Sequence, residues 1–370
     1  MKNYTVAKPS LPPFDEFSPL LREIWNSQVL TNNGPFHKKF ENELCSYLEV
    51  PFISVFCNAT VALVTALQAL DIKGEVITTP YSFVATAHSL LWNNIKPIFV
   101  DIKSSTMNID PNKIEAAITE RTTAILPVHC YGNPCDIDRI QVIADKYKLK
   151  IIYDSAHAFG VRENNRSILT AGDLSVLSFH ATKVFNTFEG GAIISSNESI
   201  KNHIDNLKNF GFVNEAEVSV VGINGKMSEF NAALGLLQLK YIDKNIQERK
   251  EIDSWYRLFL NNVSNITIPP IPEGVQGNYS YFPILFEKCS HISRDDLYFK
   301  LKSKGINARR YFHPLITDFA PYANLKPTVA TTNAIELTSK VICLPIYPGL
   351  NESDISFIAK TIIELSSLNY

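Results

Sequence analysis

Short apolar runs alternate with amphipathic stretches along the first half of the chain. Strand-like runs fall at 75–79, 97–102, 123–128, 149–153, 174–179 and 191–195. Between them Val61, Leu63, Val64, Leu67 and Leu70 recur at helical spacing, as do Ile137, Ile140, Ile143 and Ala144. Each strand–helix–strand unit has about the length a parallel crossover needs. The pattern therefore predicts an α/β fold with a mostly parallel central sheet covered by helices. From Ser228 onward the period changes: Phe230, Ala233, Leu234, Leu237 and Tyr241 lead into the charged stretch 243–250, which predicts one long helix leaving the first domain. A boundary near residue 245 follows, with a large domain over 1–245 and a smaller C-terminal α+β domain over 246–370. The Pro- and Ile-rich segment 265–273 reads as a connection inside the second part. No repeat or low-complexity tract interrupts the pattern.

The 370 residues are ample for two such domains. Apolar residues make up 45%, charged ones 19%, and the formal net charge is -2. That balance gives no electrostatic reason to expect nucleic acid or an acidic membrane, so a small-molecule ligand is expected. The first 14 residues lack the apolar run of a secretory signal, and no later stretch stays apolar long enough to span a bilayer. A cytoplasmic protein is expected. Cys45, Cys57, Cys130, Cys135, Cys289 and Cys343 show no repeated spacing and read as buried thiols of a reducing compartment. The tract from His129 and Cys130 to Cys135 suggests a metal at first sight. Its spacing matches no standard zinc pattern, and it encloses the turn signal Gly132-Asn133-Pro134, so no metal site is expected.

Open α/β sheets bind ligands outside the carboxyl ends of their strands, and two such ends carry most of the chemistry here. Asp154 closes the run 149–153, with His157 three residues on. Ser178 lies at the end of the run 174–179, Lys183 follows on a loop, and Glu189-Gly190-Gly191 leads into the next strand. A lysine presented beside an acid suits pyridoxal phosphate: the amine forms a Schiff base, and the carboxylate keeps the pyridine nitrogen protonated. Asn58-Ala59-Thr60 stands just before the helical run from Val61, where free N–H groups and the helix dipole favour a phosphate. Ser178 offers a further hydroxyl, and Phe83 an aromatic face for the ring. Taken singly, each has a bland explanation: a solvated lysine, a strand-ending aspartate, a core histidine or phenylalanine, an ordinary helix cap. Only the ordered set favours a cofactor site.

That ordered set resembles the DegT/DnrJ/StrS family of sugar aminotransferases. The likeness runs from Thr31-Asn32-Asn33-Gly34-Pro35 to Leu344-Pro345-Ile346-Tyr347-Pro348. Its most specific piece is Ser178-Phe179-His180-Ala181-Thr182-Lys183 followed by Glu189-Gly190-Gly191, which is similar to the family's lysine motif. The segment Asp154-Ser155-Ala156-His157-Ala158-Phe159-Gly160 is similar to its cofactor-ring motif. The resemblance implies an aspartate-aminotransferase-like (type I) fold, pyridoxal 5'-phosphate, Lys183 as Schiff-base lysine and Asp154 as partner of the pyridine nitrogen. It places His157 near the ring hydroxyl, where many relatives have glutamine, Phe83 over the ring, and Ala59, Thr60 and Ser178 in the phosphate cup. Relatives commonly carry glycine or serine where this chain has Ala59. In Gly222-Ile223-Asn224-Gly225, Asn224 matches an asparagine that reaches the phosphate in the neighbouring subunit, which implies a homodimer with shared sites. The stretch 305–309, with Tyr311, Phe312, His313 and Pro314, resembles the small domain's part of the substrate mouth.

The family's dehydratase branch has histidine in place of the lysine, so Lys183 implies transamination. The segments 31–35 and 81–86 and the Ser-Phe-His lead into the lysine resemble the branch that aminates C4 more than the C3 group. The nearest likeness is to enzymes of the viosamine pathway acting on dTDP-4-dehydro-6-deoxy-D-glucose, with L-glutamate as donor and a product used for O-antigen or related glycans. Alternatives are a C3 aminotransferase acting on a dTDP-3-keto-6-deoxyhexose and a non-catalytic sensor that keeps the cofactor. A nicotinamide oxidoreductase would need G-x-G-x-x-G after a strand, which the chain lacks.

Overall fold

The strand–helix alternation is present in the computed structural model, which describes residues 2–287, 292–325, 327 and 329–367. Seven strands form the central sheet: β1 (Phe52–Phe56), β2 (Glu75–Thr78), β3 (Lys96–Phe99), β4 (Thr122–Ile125), β5 (Lys150–Asp154), β6 (Leu174–Ser178) and β7 (Gly191–Ser195). Their order is β1-β7-β6-β5-β4-β2-β3. Only β7 runs against its neighbours; every other pairing is parallel. Six of these strands fall where the apolar runs predicted them. Four of the runs extend past the C-terminal ends of their strands, where the chain still makes single sheet-like bonds such as Val100 N–H to the Thr78 carbonyl. β1 was not anticipated: only residues 49–51 separate its five residues from the helix that ends at Leu48.

Helices cover both faces, as a mostly parallel sheet requires. They are α1 (Phe14–Ser27), α2 (Pro35–Leu48), α3 (Ala59–Ala69), α4 (Ala85–Trp92), α5 (Ile137–Tyr147), α6 (Glu198–Leu207), α7 (Glu229–Leu239) and α8 (Ile242–Leu260). Adjacent residues of β6 show the two layers. Leu177 packs with Phe40, Leu44 and Leu234 beneath α2 and α7, whereas Val176 packs with Leu63 and Leu67 of α3. Strand pleating thus seats α3, whose N-terminus matters below, on the opposite face from α7.

The single helix expected after Ser228 is two. The chain tightens at the end of α7, where Tyr241 N–H bonds to the Gln238 carbonyl, three residues back, and α8 starts afresh at Ile242. Apolar spacing carries no mark of such a turn when neither Gly nor Pro makes it. Along α8, Ile242 packs in the first core, while Ile252, Tyr256 and Leu260 join a second core with Phe282, Ile284 and Leu344. There a three-stranded antiparallel sheet (Ile266–Thr267, Phe282–Phe286, Val341–Leu344) packs with α8, α9 (Arg294–Ser303), α10 (Thr332–Lys340) and α11 (Glu352–Ser367). Residues Tyr4–Thr5 pair with Ile306–Asn307, so the N-terminal segment lies with this second core.

Candidate active site

The carboxyl ends of β5 and β6 open on a cavity of about 300 Å³. Ala59, Thr60, Phe83, Asp154, His157, Ser178 and Lys183 all line it. Asn224 does not: it lies exposed, its backbone bridged to Asn209, outside this chain's pocket.

The cavity's floor is the start of α3. Asn58 caps the helix by accepting from Val61 N–H at 2.9 Å. That bond takes the third amide of the helix and leaves the first two, on Ala59 and Thr60, available beside the pocket. Gly191 makes this possible, since a Cβ there would stand 2.6 Å from the Ala59 nitrogen and 2.8 Å from the Asn58 carbonyl carbon. Ser178 closes β6 next to this amide cluster and accepts from His180 N–H at 3.4 Å.

Asp154, the last residue of β5, is buried. Its Oδ2 accepts from Thr86 Oγ1 at 2.7 Å and its Oδ1 from Ala156 N–H at 3.1 Å. Ser82 bonds to Thr86 in turn at 2.9 Å, forming a short hydroxyl relay. Burial raises the carboxyl above its usual range, opposed by the Thr86 and Ala156 bonds and by Lys183. Lys183, half-buried on the loop after β6, donates to Tyr281 Oη at 3.3 Å. Burial lowers its amine to about 8, against the attraction of Asp154. His157 is buried, and burial together with Lys183 holds its imidazole well below the usual histidine range. Phe83 stands at the mouth as a residue 60% exposed, an available aromatic face.

Sequence reading missed Tyr281 and Thr86 as members of the site. Thr86 carries no signal of its own in the first turn of α4, and Tyr281 stands just before the strand Phe282–Phe286, packed against Tyr131 and 98 residues from Lys183. Tyr311 and Phe312, assigned by resemblance to the mouth, line the cavity; His313 lies instead beside Thr338. Among the described residues no His, Cys, Asp or Glu cluster could hold a metal, and no helix is long and apolar enough to cross a membrane. Cys130, Cys135 and Cys343 are buried free thiols and Cys45 and Cys57 half-buried ones, while Cys289 lies outside the described residues.

The pattern of the DegT/DnrJ/EryC1/StrS aminotransferase family matches residues 15–363. The chain belongs to that family. As a DegT/DnrJ/EryC1/StrS member it is a sugar aminotransferase, and its α/β architecture is that of the family. It is 55% identical to the dTDP-4-amino-4,6-dideoxy-D-glucose transaminase of Shigella dysenteriae over 361 residues, 97% of this chain and 98% of that one. The Escherichia coli protein of the same name is 52% identical over 98% of each chain. A solved structure of DesI in the presence of its TDP-sugar product superposes with a TM-score of 0.95 at 31% identity, covering 99% of this chain and 94% of the other.

Proposed function

We propose that the chain transfers an amino group from L-glutamate to C4 of dTDP-4-dehydro-6-deoxy-D-glucose, giving dTDP-4-amino-4,6-dideoxy-D-glucose, with pyridoxal 5'-phosphate as cofactor. One observation carries the reading: the Lys183 amine and the buried Asp154 carboxylate line one cavity beside the amides that open α3. The names of the two relatives at 55% and 52% identity support the sugar and the carbon.

The residues present fit the cofactor. Ala59 and Thr60 N–H with the Ser178 hydroxyl would hold the phosphate, Asp154 the pyridine nitrogen, Phe83 the ring face and Lys183 the aldehyde carbon. Bound there, the cofactor supplies an electron sink for charge developing on the donor's α-carbon. Lys183 Nζ, lowered to about 8, is partly neutral near pH 7 and can take the proton from that α-carbon. In the second half-reaction the same Nζ returns a proton at C4 of the sugar. The bonds from Thr86 and Ala156 and the nearby Lys183 favour the charged form of Asp154 against its burial. Tyr281, Tyr311 and Phe312, which pack with Tyr81 and Tyr131 in one cluster, wall the cavity and exclude water from the transfer.

The same reading makes the active unit a cytoplasmic homodimer in which Asn224 reaches the partner's phosphate site. It assigns residues 1–245 to the cofactor domain and 246–370 to a smaller one, with the first few residues paired to the latter. The test is incubation with L-glutamate and the keto-sugar, followed by NMR of the product. Nitrogen on C4 supports the reading; nitrogen on C3 moves the enzyme to the C3 group, and cofactor binding without turnover makes it a sensor.

A further inference from the structure

The tract 129–135, which holds no metal cluster among the described residues, wraps around His157. Cys130–Gly132 make one tight turn in which Tyr131 takes φ 56°, a left-handed conformation disfavoured for residues with a Cβ. That conformation sets the Tyr131 backbone N–H 3.2 Å from His157 Nδ1. Gly132 follows with φ 89°, and a Cβ there would stand 2.9 Å from the His157 carbonyl oxygen. The turn can press so close only because this residue is glycine. Asn278 Nδ2 and Ser280 Oγ donate to the same carbonyl at 2.9 and 3.1 Å. The imidazole lies parallel to Phe312 at 5.9 Å and edge-on to Tyr281 at 4.8 Å. Backbone and ring of His157 are both held.

An N–H donates only to an unprotonated nitrogen, so Nδ1 presents its lone pair and the proton of a neutral imidazole sits on Nε2. His157 lines the cavity, and Nε2 has no protein partner among the described residues. The groups around the ring point the same way. Lys183 is the cation facing it, the Tyr281 phenol flanks it edge-on, and Asp154 stands three residues earlier on the same segment. With Lys183 near and little solvent to stabilise a second cation, the ring stays neutral.

We propose that the turn 130–133 is a positioning device that fixes His157 as the neutral Nε2–H tautomer, making it a standing hydrogen-bond donor to an anionic ring oxygen of the cofactor. His157 then serves neither as a base nor as a pH switch. The identity of the ligand rests on the function proposed above, whereas the tautomer is a property of the protein alone.

The test is NMR of protein carrying ¹⁵N-labelled histidine, with and without pyridoxal phosphate, using His157→Gln to assign the signal. In the cofactor-free protein His157 should show a protonated Nε2 and a bare Nδ1, unchanged as pH crosses the ordinary histidine value of about 6.5. Gly132→Ala, whose methyl meets the His157 carbonyl, should shift that signal toward the mixed tautomers of a free imidazole. Should that variant not fold, the conservative exchange still decides. His157→Gln keeps a non-titrating donor and should retain the wild-type pH dependence of cofactor absorbance, which His157→Leu should change. A proton on Nδ1, or titration near 6.5, overturns the proposal, as does a Leu variant with the wild-type absorbance profile. Absence of any cofactor absorbance would overturn the proposed function, and the NMR signal would still decide the tautomer.

Discussion

Replacing Lys183 by methionine should make the cofactor-free protein more stable while abolishing transamination. Burial lowers the amine from its usual 10.5 to about 8, even though Asp154 pulls the other way. The net cost of housing the charge therefore exceeds the attraction. At about 1.4 kcal/mol per pH unit, a fall of that size corresponds to roughly 3 kcal/mol. Methionine fills similar volume without the charge, but Asp154 then loses a favourable neighbour, which offsets part of the gain. A stabilisation of about 1 to 3 kcal/mol at pH 6 to 7 is expected. The sign with pH follows from linkage. Between about 8 and the unfolded-state value, the unfolded chain binds the proton that the folded chain has released, so wild-type stability rises with pH through that window. The advantage of Lys183→Met should accordingly shrink as pH rises from 8 toward 10.5. Urea denaturation of both proteins, stripped of cofactor, at neutral and alkaline pH measures it. A variant less stable than wild type at pH 7, or an advantage independent of pH, would refute the reasoning.

Three further outcomes follow from individual contacts. Thr86→Val removes the 2.7 Å donor to Asp154 Oδ2, so the carboxyl should rise further and cofactor affinity should be lost at a higher pH on acidification, read by cofactor titration at several pH values. Gly191→Ala drives a methyl to 2.6 Å from the Ala59 nitrogen, and the displaced start of α3 should weaken cofactor binding and cost about 1 to 3 kcal/mol in denaturation, whereas unchanged affinity would remove those amides from the phosphate site. The buried carboxylate of Glu229 accepts from Phe36 and His37 N–H at 2.8 and 2.9 Å; Glu229→Ala leaves both amides at the head of α2 without an acceptor and should cost roughly 2 to 4 kcal/mol, measured by thermal or urea unfolding.

What could be read from the sequence depended on whether the signal was local. Asp154, Ser178 and Lys183 were legible because an apolar run ends just before or beside each, and strand ends are where α/β sheets gather ligands. Ala59 and Thr60 were legible through the Asn58 cap, a three-residue signal. The reversed direction of β7 was not, since alternating hydrophobicity is the same for a strand run either way. Tyr281 could not be found by spacing, because only its packing with Tyr131 and Phe312, far away in the chain, brings its hydroxyl to Lys183. A turn signal was legible at Gly132-Asn133-Pro134, and the observed turn starts earlier, at Cys130; its contact with His157, spanning 26 residues, was not legible. Asn224 lies exposed outside this chain's pocket, and the role that the resemblance implies for it would need a second chain.

The most direct test of the central claim is the absorption spectrum of the purified protein as L-glutamate and then dTDP-4-dehydro-6-deoxy-D-glucose are added, with Lys183→Ala alongside. The account predicts a visible cofactor band in the wild-type protein that glutamate bleaches and the keto-sugar restores, and that is altered in Lys183→Ala. A protein without such a band, or a band that glutamate leaves untouched, would contradict it.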